Sequence, residues 1–318
     1  MWSNRRFLIA AALGVAALSI VAGRELGVGR PPGMLTELIH GIRPSYAPQR
    51  VAVVPNEAAI TRRFWVPELD DWYNPQGLAV IDGGIAVSGY RSEAADVHRG
   101  PCRVFRLEPE RGGQTGRLDV PEPCGHAGGI AVAGDGNLYI ADTHALFSTL
   151  IRQAFSERAL PFRGVALGPG LVGALAASAN GALWLGTYRE DGEGSLFRFT
   201  AETLGRLRGG ETLTVSDAAE RLAIPSYAQG AAFDQRGRLW VARSDTRWGE
   251  LVRLDPASGA VERRYAVAAG IEGIAFDRQG LLWAVAEAGA RHGWDHFFAR
   301  QFTPFFPLIF ALDTERLE

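Results

Sequence analysis

The chain contains no lysine: each of the 33 basic residues among its 318 is an arginine. Chemistry that depends on an amine side chain is therefore excluded, including Schiff-base enzymes, Walker-type phosphate loops and kinases. It also lacks an excess of charge of one sign, because 35 acidic residues leave a formal net charge of -2. Without a basic surface to release counterions, nucleic acid is not an expected partner. Cysteine is nearly absent. Cys102 and Cys124 are the whole complement and no C-x-x-C spacing exists, so a zinc site would have to find its ligands elsewhere. Nucleophile elbows of the G-x-S-x-G type and nucleotide-binding loops are missing too.

Long apolar runs are scarce, with one exception at the N-terminus. Arg5 and Arg6 precede an uncharged stretch from Phe7 to Gly23, the pattern of an export segment. It reads as a cleaved signal peptide or as a retained membrane anchor, which places the remainder of the chain outside the cytoplasm, in a periplasmic or extracellular setting. The expected division is residues 1–23 as signal or anchor, 24–50 as a tether with a short helix at Met34–Ile42, and 51–318 as one domain. An exported chain meets oxidising conditions, so Cys102 and Cys124 are expected to pair.

The abundant residue is glycine, 39 in all, with no collagen period. It marks a repeat. Gly77–Tyr90, Gly129–Thr143, Gly173–Tyr188, Gly230–Ser244 and Gly273–Glu287 each read as apolar strand, tight turn, apolar strand. The turns carry Asp82-Gly83, Asp135-Gly136, Asn180-Gly181 and the Asp-x-x-Gly pairs Asp234/Gly237 and Asp277/Gly280, residue types that accept positive φ. The period of roughly 40–55 residues suits four-stranded propeller blades. Further strands read at Cys102–Leu107, Gly116–Val120, Ser195–Phe199, Glu250–Asp255, Val261–Val267 and Pro307–Asp313. The chain ends after a third strand, and Arg63–Glu68 resembles Arg117–Glu122, so an N-terminal strand is expected to complete the last blade. Val51–Val54 competes with Pro307–Asp313 for a third-strand position. The expected fold is an all-β propeller with five visible blade cores and room for a sixth, divergent one.

The pattern G-I-A-F-D, turn, G-x-L-W at Gly230–Trp240 and Gly273–Trp283 resembles the NHL-repeat and gluconolactonase (senescence-marker) propellers. The resemblance covers about Trp65 to Leu317 and implies an axial calcium or other divalent ion held by residues just before each innermost-strand glycine. Those positions are Gln76, Gly128, Val172, Gln229 and Glu272. Only Glu272 keeps a carboxylate, so Glu272, Gln76 and Gln229 are the candidate metal ligands of a depleted set, with Asp71, Asn74, Asp142 and Glu287 as residues that would have to supplement them.

In such blades, loops leading into the innermost strand and loops joining the second and third strands emerge on one side. That side gathers the candidates. His126, Glu272 and Glu287 are the candidate catalytic residues, and Asn74, Gln76, Tyr90, Asp142, Tyr188, Gln229, Arg243 and Trp294 the candidate ligand contacts. For each there is a structural alternative: His126 bonded to backbone, a glutamate paired with Arg243, Trp184, Trp240 and Trp283 as blade packing. His292 and His296 with Asp295 would suit a metal only on a helix. The aromatic insertion Ala288–Phe306 reads as a lid or plug over the channel, or alternatively as a contact patch. Two functions are expected from this pattern. The first is a cell-envelope binding module for a small molecule or protein, touching the membrane only through its N-terminal segment. The second is a metal-assisted hydrolase of esters or lactones, or a lyase.

Overall fold

The computed structural model describes residues 33–93, 100–156, 161–245, 247–291 and 306–318. Within them the turns set the fold. Gly83, Gly136, Gly181, Gly237 and Gly280 all take positive φ between +71° and +88°, the left-handed geometry that reverses a hairpin at little cost only in glycine. Around these reversals lie five sheets arranged as blades.

After β1 (Ile60–Trp65), the first blade is β2 (Tyr73–Ile81), β3 (Gly84–Arg91), β4 (Cys102–Leu107) and β5 (Gln114–Val120). The second is β6 (Gly129–Val132), β7 (Asn137–Ala141), β8 (Ala145–Leu150) and β9 (Arg163–Leu167). The third comprises β10 (Leu175–Ala179), β11 (Ala182–Gly186), β12 (Gly194–Phe199) and, after a short β13 (Thr212–Leu213), β14 (Glu220–Ile224). The fourth is β15 (Ala228–Phe233), β16 (Leu239–Ser244), β17 (Gly249–Leu254) and β18 (Val261–Val267); the fifth is β19 (Ile271–Phe276), β20 (Leu282–Ala286) and β21 (Leu308–Leu312). Strand β13 pairs parallel with β9 and extends the second blade. Among the described residues the propeller has five blades and no sixth.

Closure follows the expected route with a shifted strand. β1 pairs antiparallel with β21, Arg63 opposite Phe310, and supplies the outermost strand of the fifth blade. Its bounds are Ile60–Trp65 rather than Arg63–Glu68. Asn56 adds a second link between the chain ends, its side chain bonding both the backbone carbonyl and the backbone N–H of Glu318. The third-strand position goes to β21, and Val51–Val54 forms no strand. Instead Ile39, Ala47, Val51 and Val54 are buried with Phe64, Trp65 and Phe310 in one apolar cluster, so the lead-in packs on the fifth blade. The helix expected at Met34–Ile42 is a single turn at Thr36–Leu38.

The innermost strands pack side by side around the axis and are apolar toward their hairpin turns, while the outermost β5, β14 and β18 turn charged residues to water. A Cβ on Gly273 would lie 2.2 Å from the amide nitrogen of Leu78, and one on Gly129 2.2 Å from that of Ala176. These glycines let neighbouring inner strands close to backbone contact. In the third blade the same contact falls on Leu175, so the register there is set two residues after Gly173 and the residue before the ring position is Ala174, not Val172. Among the described residues no helix is long and apolar enough to cross a membrane. The Phe7–Gly23 segment lies outside the described residues.

Candidate functional site at the channel mouth

The channel has two unlike halves. Toward the hairpin turns the five inner strands themselves, at Leu78–Val80, Ile130–Val132, Ala176–Ser178, Ala231–Phe233 and Ile274–Phe276, surround a space of about 90 Å³. At the opposite mouth three blades interrupt their inner strands. The β2–β3 register slips between Pro75 and Leu78, that of β15–β16 between Ala228 and Gly230, and that of β19–β20 between Ile271 and Ile274. Each slip inserts one extra residue on the inner strand, a bulge that re-aims side chains at the rim of a barrel or channel. The residues at the bulges are Gln76, Gln229 and Glu272. Blades two and three have no such slip, and their equivalent positions, Gly128 and Ala174, offer no polar side chain.

Glu272 is 2% exposed, and its Oε1 has no hydrogen-bond partner among the described residues. Glu287 follows β20, held by its N–H to the carbonyl of Gly270, and its Oε2 accepts from Nε2 of Gln76 at 2.7 Å. Burial pushes the Glu272 carboxyl well above the ordinary range, and the charge of Glu287 pushes it further. Burial also raises Glu287, partly offset by the Gln76 hydrogen bond. Two carboxyls in one low-dielectric site resist losing both protons, so the pair holds a proton where an exposed carboxylate would not. Across from them Tyr188 is pushed up to about 12, first by burial and then by Glu190, Tyr227 and Glu272. Its ring meets Tyr227 edge-on at 6.2 Å, and Tyr227 meets Trp248 at 5.6 Å, forming an aromatic wall.

The remaining candidates are distributed around this centre. Asn74 is fully buried on β2. Arg243 donates to Oε2 of Glu250 at 2.5 Å and to the carbonyl of Ser226 at 2.7 Å, so its carboxylate partner is Glu250 rather than Glu272. His126 stands beside Tyr90, ring centres 5.4 Å apart. Oδ1 of Asp142 accepts from the backbone N–H groups of Gly125, His126 and Ala127 at 2.7–3.2 Å and thereby folds the loop that carries the histidine. Cys102 and Cys124 are joined, with Cα atoms 5.8 Å apart, and pin the same loop to β4. Cys102, Cys124 and Asp142 bring potential ligand atoms within 4.8 Å of one another, but the sulfurs are bonded to each other and the carboxylate is held by amides. Trp294, His292, Asp295, His296 and most of the 288–306 insertion lie outside the described residues. Its last aromatic, Phe306, is fully buried against Trp65 and Tyr46, as core rather than lid.

Of the wall, the sequence pointed to the Tyr188 and Tyr227 positions on this face but not to Trp248 or to the contact between the rings. Tyr227 has a positive φ of 59°, and Trp248 lies in the connection between β16 and β17, outside the repeated hairpin, so no periodic signal joins the two. The inter-blade bonds of Ser88 to the carbonyl of Ala127 and of Ser244 to that of Ile271 were equally silent.

No known protein family and no curated protein matches the chain. Solved structures do. The chain is similar to the glutaminyl cyclase of Myxococcus xanthus, with a TM-score of 0.52 and 14% identity over 80% of this chain and 94% of that one. A putative gluconolactonase aligns with a TM-score of 0.42 and 15% identity over 83% and 87% of the two chains. The PQQ-bound aldose sugar dehydrogenase of Streptomyces coelicolor aligns at 0.40 and 20% over 67% and 74%. Such low identities speak to fold alone, and the fold is a propeller.

The resemblance in the repeats implies an axial divalent ion, and the donor set can be tested for it. Among the described residues two carboxyls and two amides come from three blades, and the equivalent positions of blades two and three, Gly128 and Ala174, add no side-chain oxygen. Calcium prefers six to eight oxygens. The residues present do not make a closed calcium cage.

Proposed function

We propose that the protein is an exported propeller of the cell envelope that binds a small molecule at the polar mouth of its channel, on Glu272, Glu287, Gln76 and Gln229. The observation that carries this reading is the buried Glu272 with an oxygen left without a partner among the described residues. An orphaned carboxyl costs folding energy and is tolerated where a ligand completes it. The Cys102–Cys124 bond is the chemistry of an oxidising compartment and supports export. Thermal-shift measurement of the purified chain against a panel of small metabolites tests the reading. At least one chemical class should raise the midpoint in the wild type and not in Glu272→Gln, whereas no response from any class would overturn it.

A second reading is favoured by the shared proton. One carboxyl that keeps its proton beside one that gives it up is an acid–base pair, suited to opening an ester or lactone, with the Gln76 amide orienting Glu287. Proton release from γ- and δ-lactones or phenyl acetate, abolished in Glu272→Gln and Glu287→Gln while both variants remain folded, would establish catalysis. No turnover by the wild type would leave binding as the function.

A further inference from the structure

Resting on the reading of the channel mouth as a ligand site, we propose that its ligand is an organic cation, an ammonium or guanidinium group seated between Glu272 and Glu287. Charge accounting leads there first. The site concentrates two acidic side chains on the axis, one of them 2% exposed with Oε1 unpartnered among the described residues. The chain has no lysine to neutralise them. The described arginines of the same face are committed elsewhere: Arg243 to Glu250, Arg91 to Glu93, Arg189 to the carbonyl of Asp191, and Arg291 to the carbonyl of Asp70 with its guanidinium over Trp72. Buried acids without a basic partner are expensive, and a cationic ligand would supply the missing charge.

Geometry selects an organic cation over a metal ion. Among the described residues the carboxylate and amide side chains of the rim come from blades one, four and five, while Gly128 and Ala174 offer no side-chain oxygen and blade three adds the phenol of Tyr188. A divalent ion needs oxygens all around, whereas an ammonium or guanidinium has a few directed N–H donors and an apolar stem that needs none. The remaining wall suits that stem and that charge. Tyr188, which feels the charge of Glu272, meets Tyr227 edge-on, and aromatic faces attract organic cations; Trp248 extends the series with its own face under the Arg243 guanidinium, 5.4 Å from the ring centre. Below the mouth the five inner strands leave a space of about 90 Å³ with no charged residue among the described residues that line it, room for a short alkyl stem.

The test uses the full chain at neutral pH and constant ionic strength, with n-butylammonium, n-butylguanidinium, n-butanol, butyrate and calcium chloride as probes in calorimetry and thermal shift. At least one of the two cations should bind about tenfold or more tightly than n-butanol, and Glu272→Gln and Glu287→Gln should each remove that preference. Equal binding of cation and alcohol overturns the proposal, as does Glu272-dependent binding of butyrate or of calcium alone; either of the last two leaves the site itself standing. If no probe binds and the metabolite panel gives no response, the ligand site fails as well. Should Glu272→Gln not fold, Glu287→Gln alone decides, since that side chain is less enclosed.

Discussion

At the scale of single residues, the channel mouth stores its chemistry in a proton. Because burial raises the folded-state pKa of Glu272 above its unfolded value, the folded chain binds more protons than the unfolded one in the interval between them. Stability from this group is therefore fully present below the ordinary glutamate range and is lost as pH rises toward the folded-state value. Glu272→Gln should flatten the decline of stability with pH above about 4.5 and raise the thermal midpoint at neutral pH, read by melting curves across a pH series. A variant that melts lower, with the same slope as the wild type, would show that a partner outside the described residues satisfies the carboxyl. Glu272 was legible as a candidate because it precedes Gly273 in a repeat, but its lack of a partner was not. That depends on Arg243 turning to Glu250, a choice made by strands distant in sequence.

At the scale of elements, the repeated hairpin is a side-chain device as well as a turn. Oδ2 of Asp234 accepts from Nε1 of Trp240 at 3.0 Å, and Oδ2 of Asp277 from Nε1 of Trp283 at 2.8 Å, so the turn aspartate anchors the tryptophan six residues on. Burial alone would raise the Asp234 carboxyl, but hydrogen bonds from Trp240, Arg238 and Arg236 hold it below its usual range. The third blade has Asn180-Gly181 instead, and Nε1 of Trp184 is left without a partner among the described residues. Trp283→Phe should cost about 1–2 kcal/mol more than Trp184→Phe in denaturant unfolding, because only the first gives up a hydrogen bond to a carboxylate. Equal costs would mean that the tryptophans serve by volume alone. Gly273→Ala should destabilise by about 3 kcal/mol or more, since its Cβ would fall on the backbone of β2 with no side chain free to move. The tryptophans were expected as blade packing; their polar anchor follows from the turn length, which the spacing Asp-x-x-Gly already encodes.

At the scale of the whole molecule, closure and the rim bond govern stability. β1 joins β21, and Asn56 clasps Glu318, so the first strand and the last residue are both fastened in the fifth blade. The Cys102–Cys124 link closes a 22-residue separation, and its removal in a double Cys→Ser variant should cost about 3 kcal/mol by the loop-entropy relation. The same change should loosen the His126 loop, visible as faster amide exchange at Gly125–Ala127, whose N–H groups rest on Asp142. Unchanged exchange would show that Asp142 alone holds the loop.

Glycine placement, turn residues and apolar alternation determined the propeller, because these depend on local backbone preference and on a period that repeats, and the pairing of the two cysteines was legible from their being the whole complement of a chain with an export-like N-terminus. Blade number, the Leu175 register and the three rim bulges were decided only by the tertiary structure. They arise where five inner strands meet, and whether a sixth could fit, or which residue must bulge inward, is a matter of backbone contact between segments that no stretch of sequence contains together.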